Sequence, residues 1–141
     1  IYDLTSCYSG QAESVSRGFK MLAPDVMLCR DEVVLKEGSE VLNWRFISDA
    51  EVVKRENYIE LLKDGKFFYL FPVFQDKMEI KVFEAKTNYP GEKPLKGVSV
   101  IEIAAKPHSD GHVFINVLMG ESLKKLQKLS KEEINQLNEW N

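Results

Sequence analysis

Alternation of apolar and polar residues recurs along the chain and predicts a β-rich fold. Leu42, Trp44 and Phe46 are separated by single polar residues, which is the period of a strand with one buried face. The same kind of pattern, or a short apolar run between turn residues, marks further stretches. These stretches are 26–29, 33–35, 78–85, 98–105 and 112–119.

Two of the predicted strands that are neighbours in the sequence are expected to form a hairpin. Residues 36–39 have the composition of a turn, so the apolar residues 33–35 and the alternating stretch 41–47 are predicted to form a hairpin. Arg30 and Asp31 stand between 33–35 and the apolar residues before them. They predict a polar break between two short strands.

The stretch from Ser48 to Gly65 is compatible with two structures. Ser48 and Glu51 have the spacing of a helix capping box, and Gly65 is a residue type that ends helices. If this stretch is a helix, the favoured fold is a different one, in which the helix is curled inside a four-stranded antiparallel sheet. Alternatively, residues 57–62 form a strand that an Asp-Gly turn joins to the apolar residues 67–74. We favour the strand, because Asp-Gly between two apolar runs is a strong hairpin signal.

The N-terminal residues 1–24 are small and polar and show no period before Phe19. We expect them to form an arm laid over an antiparallel region at 25–120. With 141 residues the chain has the length of one domain, 1–141. The predicted fold class is mostly β, all-β or α+β, with about seven or eight antiparallel strands in a barrel or sandwich and a C-terminal helical segment.

The C-terminal residues 121–141 change to a helical period. Leu123, Leu126 and Leu129 recur every third residue among lysines, which predicts an amphipathic helix. Ser130 and Glu133 have the capping-box spacing, so a second short helix or a bend is expected after them. The tail should pack on the sheet through its apolar residues Leu126, Ile134, Leu137 and Trp140.

The most informative feature for function is the run 67–74, which is apolar on both alternating faces. A strand with one face in water would alternate, so both faces of this one must be covered or one must line an apolar interior. We therefore predict a non-enzymatic carrier of an apolar small molecule. The cavity would be lined by aromatic side chains of Trp44, Phe67, Tyr69 and Phe71.

Two other classes of function remain open. A protein-binding module (an inhibitor, an immunity-type protein or a cell-envelope accessory protein) would have a solid core and act through an exposed patch or through the polar loop 86–97. A small hydrolase or metal-dependent enzyme would use His108 and His112. In an extended segment these imidazoles and the carboxylate of Asp110 would share one face, as ligands of a divalent metal do. The Ser-Asp-Gly sequence between the histidines also fits a plain turn.

Charge and composition remove several classes of protein. Lys and Arg total 19 against 22 Asp and Glu, a net charge of -3, and nucleic-acid binders carry a basic excess instead. The longest apolar run is far shorter than a membrane helix, so no membrane span is expected. No glycine-rich phosphate loop or serine nucleophile motif occurs, and no cofactor is expected.

The two cysteines bear on the compartment. Cys7 follows Leu4-Thr5-Ser6, a sequence similar to a bacterial lipoprotein cleavage site, although Asp3 would interrupt its apolar segment. We expect a secreted, periplasmic or cell-envelope protein, with a cytoplasmic location as the alternative. In an exported chain, a Cys7–Cys29 disulfide would tie the arm to the first strand and stabilise the fold by about 3 kcal/mol.

Overall fold

The computed structural model describes residues 1–73, 78–87, 93 and 95–140. Over these residues the protein is mostly β, with antiparallel sheets of seven and three strands and one short C-terminal α-helix. In the part of the chain that the structure describes, neither sheet is closed, so the barrel alternative is wrong, and ten strands replace the expected seven or eight. In chain order the strands are β1 (Tyr2–Asp3), β2 (Ala12–Ala23), β3 (Val26–Leu35), β4 (Leu42–Ser48), β5 (Glu51–Lys54), β6 (Ile59–Lys63), β7 (Lys66–Pro72), β8 (Met78–Glu84), β9 (Ser99–Ala105) and β10 (His112–Gly120).

The strand order places the last strand in the middle of the large sheet. That sheet runs β1-β2-β3-β10-β7-β6-β5, and the small sheet runs β4-β9-β8. The β3–β10 ladder is the longest connection between distant parts of the chain, extending from the pair Val34 and His112 to the pair Val26 and Gly120. The two sheets share one hydrophobic core, to which both contribute alternate side chains.

The strand interpretation of the segment after Ser48 is confirmed. β5, β6 and β7 form a meander, and the turn between β6 and β7 is Asp64-Gly65. Both turn residues have positive φ, 52° at Asp64 and 72° at Gly65, as a two-residue hairpin turn requires. The predicted strand residue Phe74 lies outside the described residues.

Three sequence-based expectations about the first third of the chain are wrong. The predicted arm is largely the twelve-residue strand β2, whose alternation is obscured by register shifts near both of its ends. Arg30 and Asp31 interrupt nothing, because β3 continues through them. The hairpin of 33–35 with 41–47 does not form, since β4 pairs with β9 in the other sheet.

The outer face of the large sheet is covered by the C-terminal residues. The helix α1 (Leu123–Leu129) buries Leu126 completely, as the leucine period predicted. The prediction of a second α-helix is wrong, because between α1 and residue 140 the one helical element described is a 3-10 turn at Leu137–Glu139. Leu137 is buried and lies, with Trp140, directly above Gly18 of β2. The tail therefore packs on the sheet as an irregular strap.

A buried polar network holds this strap. Glu32 Oε1 accepts hydrogen bonds from Arg30 Nε at 2.6 Å and from the backbone N–H of Leu137 at 2.8 Å. Arg30 Nη1 also donates to Asn116 Oδ1 at 3.0 Å. Because Arg30 and Asn116 are both buried, these bonds supply the partners that buried polar groups need. Among the described residues no helix has the length and apolar character needed to cross a membrane.

Candidate functional site

A pocket of about 590 Å³ opens between the two sheets, where β2 and β3 face β4. This volume lies in the range of roughly 300–1,000 Å³ that is usual for small-molecule sites. Both sheets and the N-terminal residues contribute its apolar lining. That lining consists of Leu4, Ala12, Val15, Val33, Leu35, Val41, Leu42 and Trp44.

An ion pair forms part of the pocket wall. Arg17 and Asp31 are direct partners in the β2–β3 ladder, and the guanidinium donates through Nε and Nη2 to the two carboxylate oxygens at 2.7 and 2.6 Å. The carboxylate is buried, whereas the Arg17 side chain is 31% exposed. The hydrogen bond to Asp31 raises the pKa of Arg17 above its usual value. The guanidinium of Arg17 is thus a fixed hydrogen-bond donor at the pocket surface, and the buried carboxylate of Asp31 neutralises its charge.

Cys29 lies behind this pair as a buried free thiol. Its sulfur is 4.0 Å from Asp31 Oδ1. Burial, and then the negative charge of Asp31, raises the pKa of the thiol to about 12. Because the thiolate is the nucleophilic form, Cys29 is not a nucleophile at neutral pH.

Trp44 contributes a buried hydrogen-bond donor without an acceptor. The residue is 5% exposed, and its indole Nε1 makes no hydrogen bond within the described part of the chain. The thiol of Cys29 is near enough for a weak interaction with the indole N–H, which lowers the pKa of the thiol and partly offsets burial, but the two groups do not meet the geometry of a hydrogen bond. Leaving a buried N–H unpaired costs about 1–3 kcal/mol, so such groups call for a specific explanation.

The mouth of the pocket carries further polar groups. Gln11, Glu40 and Asn43 are exposed lining residues. Arg45 also lines the mouth, but its charge is matched by Glu102, at 2.8 Å. Glu40 makes no ion pair with any described residue. When Glu102 is counted as the partner of Arg45, Arg17 and Arg45 stand against Asp31, Glu40 and Glu102, which leaves a net charge of -1 at the pocket.

The structure does not bring the four predicted ligand-binding aromatic residues together. Trp44 lies in the inter-sheet core and lines the pocket. Tyr69 and Phe71 face the opposite side of the large sheet, where they pack against the cluster under α1. Phe67 is 46% exposed and stacks on Tyr69 with ring centroids 6.4 Å apart. Beyond Phe67, one face of β7 is covered by the inter-sheet core and the other by the cluster under α1.

The two histidines flank a turn. The backbone N–H of His108 donates to the carbonyl of His112 at 2.9 Å, and Gly111 has φ 81°. Asp110 accepts a hydrogen bond from the backbone N–H of His112, which lowers the pKa of its carboxyl. Both imidazoles pack instead against Phe114. Across the described residues no three His, Cys, Asp or Glu side chains are placed to hold a metal ion, so the geometry gives the predicted metal site no support.

The predicted disulfide is not present. Cys7 is exposed in the 3-10 turn Thr5–Tyr8, whereas Cys29 is buried in β3, and both are free thiols. Half of the loop 86–97, predicted as an interaction segment, lies outside the described residues, namely 88–92 and 94. No known protein family matches this chain, and no curated protein matches it either.

Proposed function

We propose that this protein binds a small molecule in the pocket between its two sheets. The observation that carries the proposal is the indole N–H of Trp44, a buried donor without an acceptor among the described residues, on a side chain that lines a cavity of about 590 Å³. A ligand whose acceptor reached this donor would recover the free energy that the unpaired group costs. The apolar side chains of β2 and β3 around it would take up the body of the ligand.

We therefore assign the predicted carrier function to this pocket and not to a cavity beside β7. Val15, Val33 and Leu35 supply a continuous apolar wall on the large sheet. Trp44 closes the pocket from the small sheet. A carrier needs no nucleophile, which agrees with the protonated state that burial imposes on Cys29.

A ligand screen with a blocked variant tests this proposal. Uncharged and charged amphiphiles are added to the protein, and binding is followed by thermal shift, native mass spectrometry and tryptophan fluorescence. A ligand at about 100 times its Kd should stabilise the fold by about 2.7 kcal/mol.

Val41→Phe, at the pocket mouth, should weaken binding. Ile47→Phe, an exposed position of β4, the strand that follows Val41, lies away from the pocket lining and should leave binding unchanged. Absence of any ligand-dependent shift, or equal effects of the two variants, would contradict the proposal.

A second candidate function is protein binding by strand addition. β1 pairs with only Ser16 and Arg17 of β2, so the edge of β2 beyond Arg17 has no partner among the described strands. This edge exposes Phe19 and Met21, which are 46% and 60% accessible. Edges of this kind pair readily with another strand. Lys20→Pro should abolish such an association without reducing ligand binding, and sedimentation or pull-down experiments distinguish strand addition from small-molecule binding.

A further inference from the structure

We infer that the ligand of the inter-sheet pocket is an uncharged amphiphile with a hydrogen-bond acceptor at one end, such as an ester, amide or ketone, and not a fatty-acid anion or an amine. This inference rests on the proposed function and specifies its ligand. Three features of the pocket carry it: the paired state of Arg17, the unpaired Trp44 donor and the charge of the rim.

The ion pair leaves no net charge for a ligand to neutralise. Both oxygens of Asp31 already accept from Arg17, at 2.7 and 2.6 Å. An anionic ligand at Arg17 would stand beside the buried carboxylate of Asp31, and a cationic ligand would stand beside the guanidinium. Either would bring an unbalanced charge into a partly desolvated site, which is costly.

The groups that remain available favour an acceptor. The guanidinium of Arg17 has N–H groups beyond the two that Asp31 engages, and Arg has no acceptor atom. The indole of Trp44 is likewise a donor only, and it is unpaired. The pocket wall therefore offers donors to an oxygen that carries no full charge.

The rim acts in the same direction. Arg45 is neutralised by Glu102, so Glu40 supplies the uncompensated charge among the described lining residues. A negative rim repels an entering carboxylate. Val15, Val33 and Leu35 leave the remaining wall apolar, which suits an alkyl chain.

A series of probes with the same ten-carbon chain tests the inference on the intact protein. Methyl decanoate, decanamide, decane, decanoate and decylamine are compared at pH 7.5 and below their aggregation limits, with Kd measured by calorimetry and fluorescence. The ester and the amide should bind about tenfold or more tightly than the two charged probes and the alkane, the usual penalty for an unmatched charge or a lost hydrogen bond.

Asp31→Asn provides the sharpest variant, because it leaves Arg17 without its counter-charge. Decanoate should then bind about tenfold more tightly than to the wild type, while methyl decanoate changes little. Glu60→Gln is the matched control: it also removes a carboxylate paired with an arginine, Arg55 at 3.3 Å, but outside the pocket lining. It should leave the order of affinities unchanged.

The outcomes separate the two proposals. Decanoate binding as tightly as the ester in the wild-type protein would overturn the ligand class but leave the pocket as a binding site, and so would decane binding as tightly as the ester. Absence of binding by every probe would overturn both. If Asp31→Asn does not fold, the wild-type series still decides the ligand class.

Discussion

The C-terminal strap packs so closely over Gly18 that adding one methyl group should displace it. A Cβ atom at position 18 would lie 2.8 Å from the ring of Trp140 and closer still to Leu137. Overpacking of this kind costs about 1–3 kcal/mol. Alanine in place of glycine otherwise favours a strand by roughly 0.5–1 kcal/mol. We therefore expect Gly18→Ala to reduce the free energy of unfolding by about 1–2 kcal/mol.

The same geometry predicts how Gly18→Ala combines with a truncation of the strap. Leu137 is 3% exposed, so Leu137→Ala alone should cost about 2–5 kcal/mol. It also removes the side-chain atom that lies nearest to the new methyl group. The double variant should consequently lose about 1 kcal/mol less than the sum of the single losses. Trp140 stays in place, so part of the strain remains.

Urea unfolding followed by tryptophan fluorescence and circular dichroism measures this cycle. Gly10→Ala is the control, since no atom lies within 4 Å of its added Cβ, and it should not couple to Leu137→Ala. Additivity of Gly18→Ala and Leu137→Ala within about 0.3 kcal/mol would refute the packing argument. A loss below about 0.5 kcal/mol for Leu137→Ala would show that the strap is solvated.

Other predictions concern the thiols and the hairpin turn. Because folding raises the pKa of Cys29 from 9.0 to about 12, its contribution to stability is complete below pH 9.0 and is lost as the pH rises to about 12. The wild type should lose roughly 1.4 kcal/mol per pH unit more than Cys29→Val in that window; parallel pH profiles would contradict this. Iodoacetamide should modify Cys7 but not Cys29 in the folded protein, as counted by mass spectrometry, and rapid labelling of both would contradict the burial. Gly65→Ala should destabilise by about 1–2 kcal/mol because φ is 72°, whereas an unchanged urea midpoint would argue against that turn.

The fold class could be predicted because the apolar residues of most strands recur with a strand period or in short runs between turn residues. β4 and β8 alternate in the structure as they do in the sequence, whereas β9 and β10 alternate in the sequence but are buried along most of their length. β2 could not be recognised, because its register shifts break the period and Gly18 supplies no side chain to the pattern. The pairing of β4 with β9 could not be predicted either, because the composition of a turn does not indicate whether the next strand joins the same sheet.

The site was only partly predictable for a related reason. Trp44 stands out in its strand, and the structure places it in the pocket wall. Arg17 and Asp31 look like surface charges in the sequence. The sequence offers one indication that they face the core. Each lies two residues from an inward-facing valine, Val15 or Val33, and therefore on the same face of its strand. That signal has no meaning until β2 and β3 are known to be continuous strands in register.

The central position of β10 has a consequence for biosynthesis. Before residues 112–120 leave the ribosome, the large sheet exists only as two separate pieces, one ending at β3 and the other at β7. Each piece then presents an unpaired edge, and the contacts that join them close most of the chain's length, a feature of slow folding. A stalled nascent chain that ends before β10 should therefore need chaperone protection, and the cooperative transition should come only after the final strand has been made.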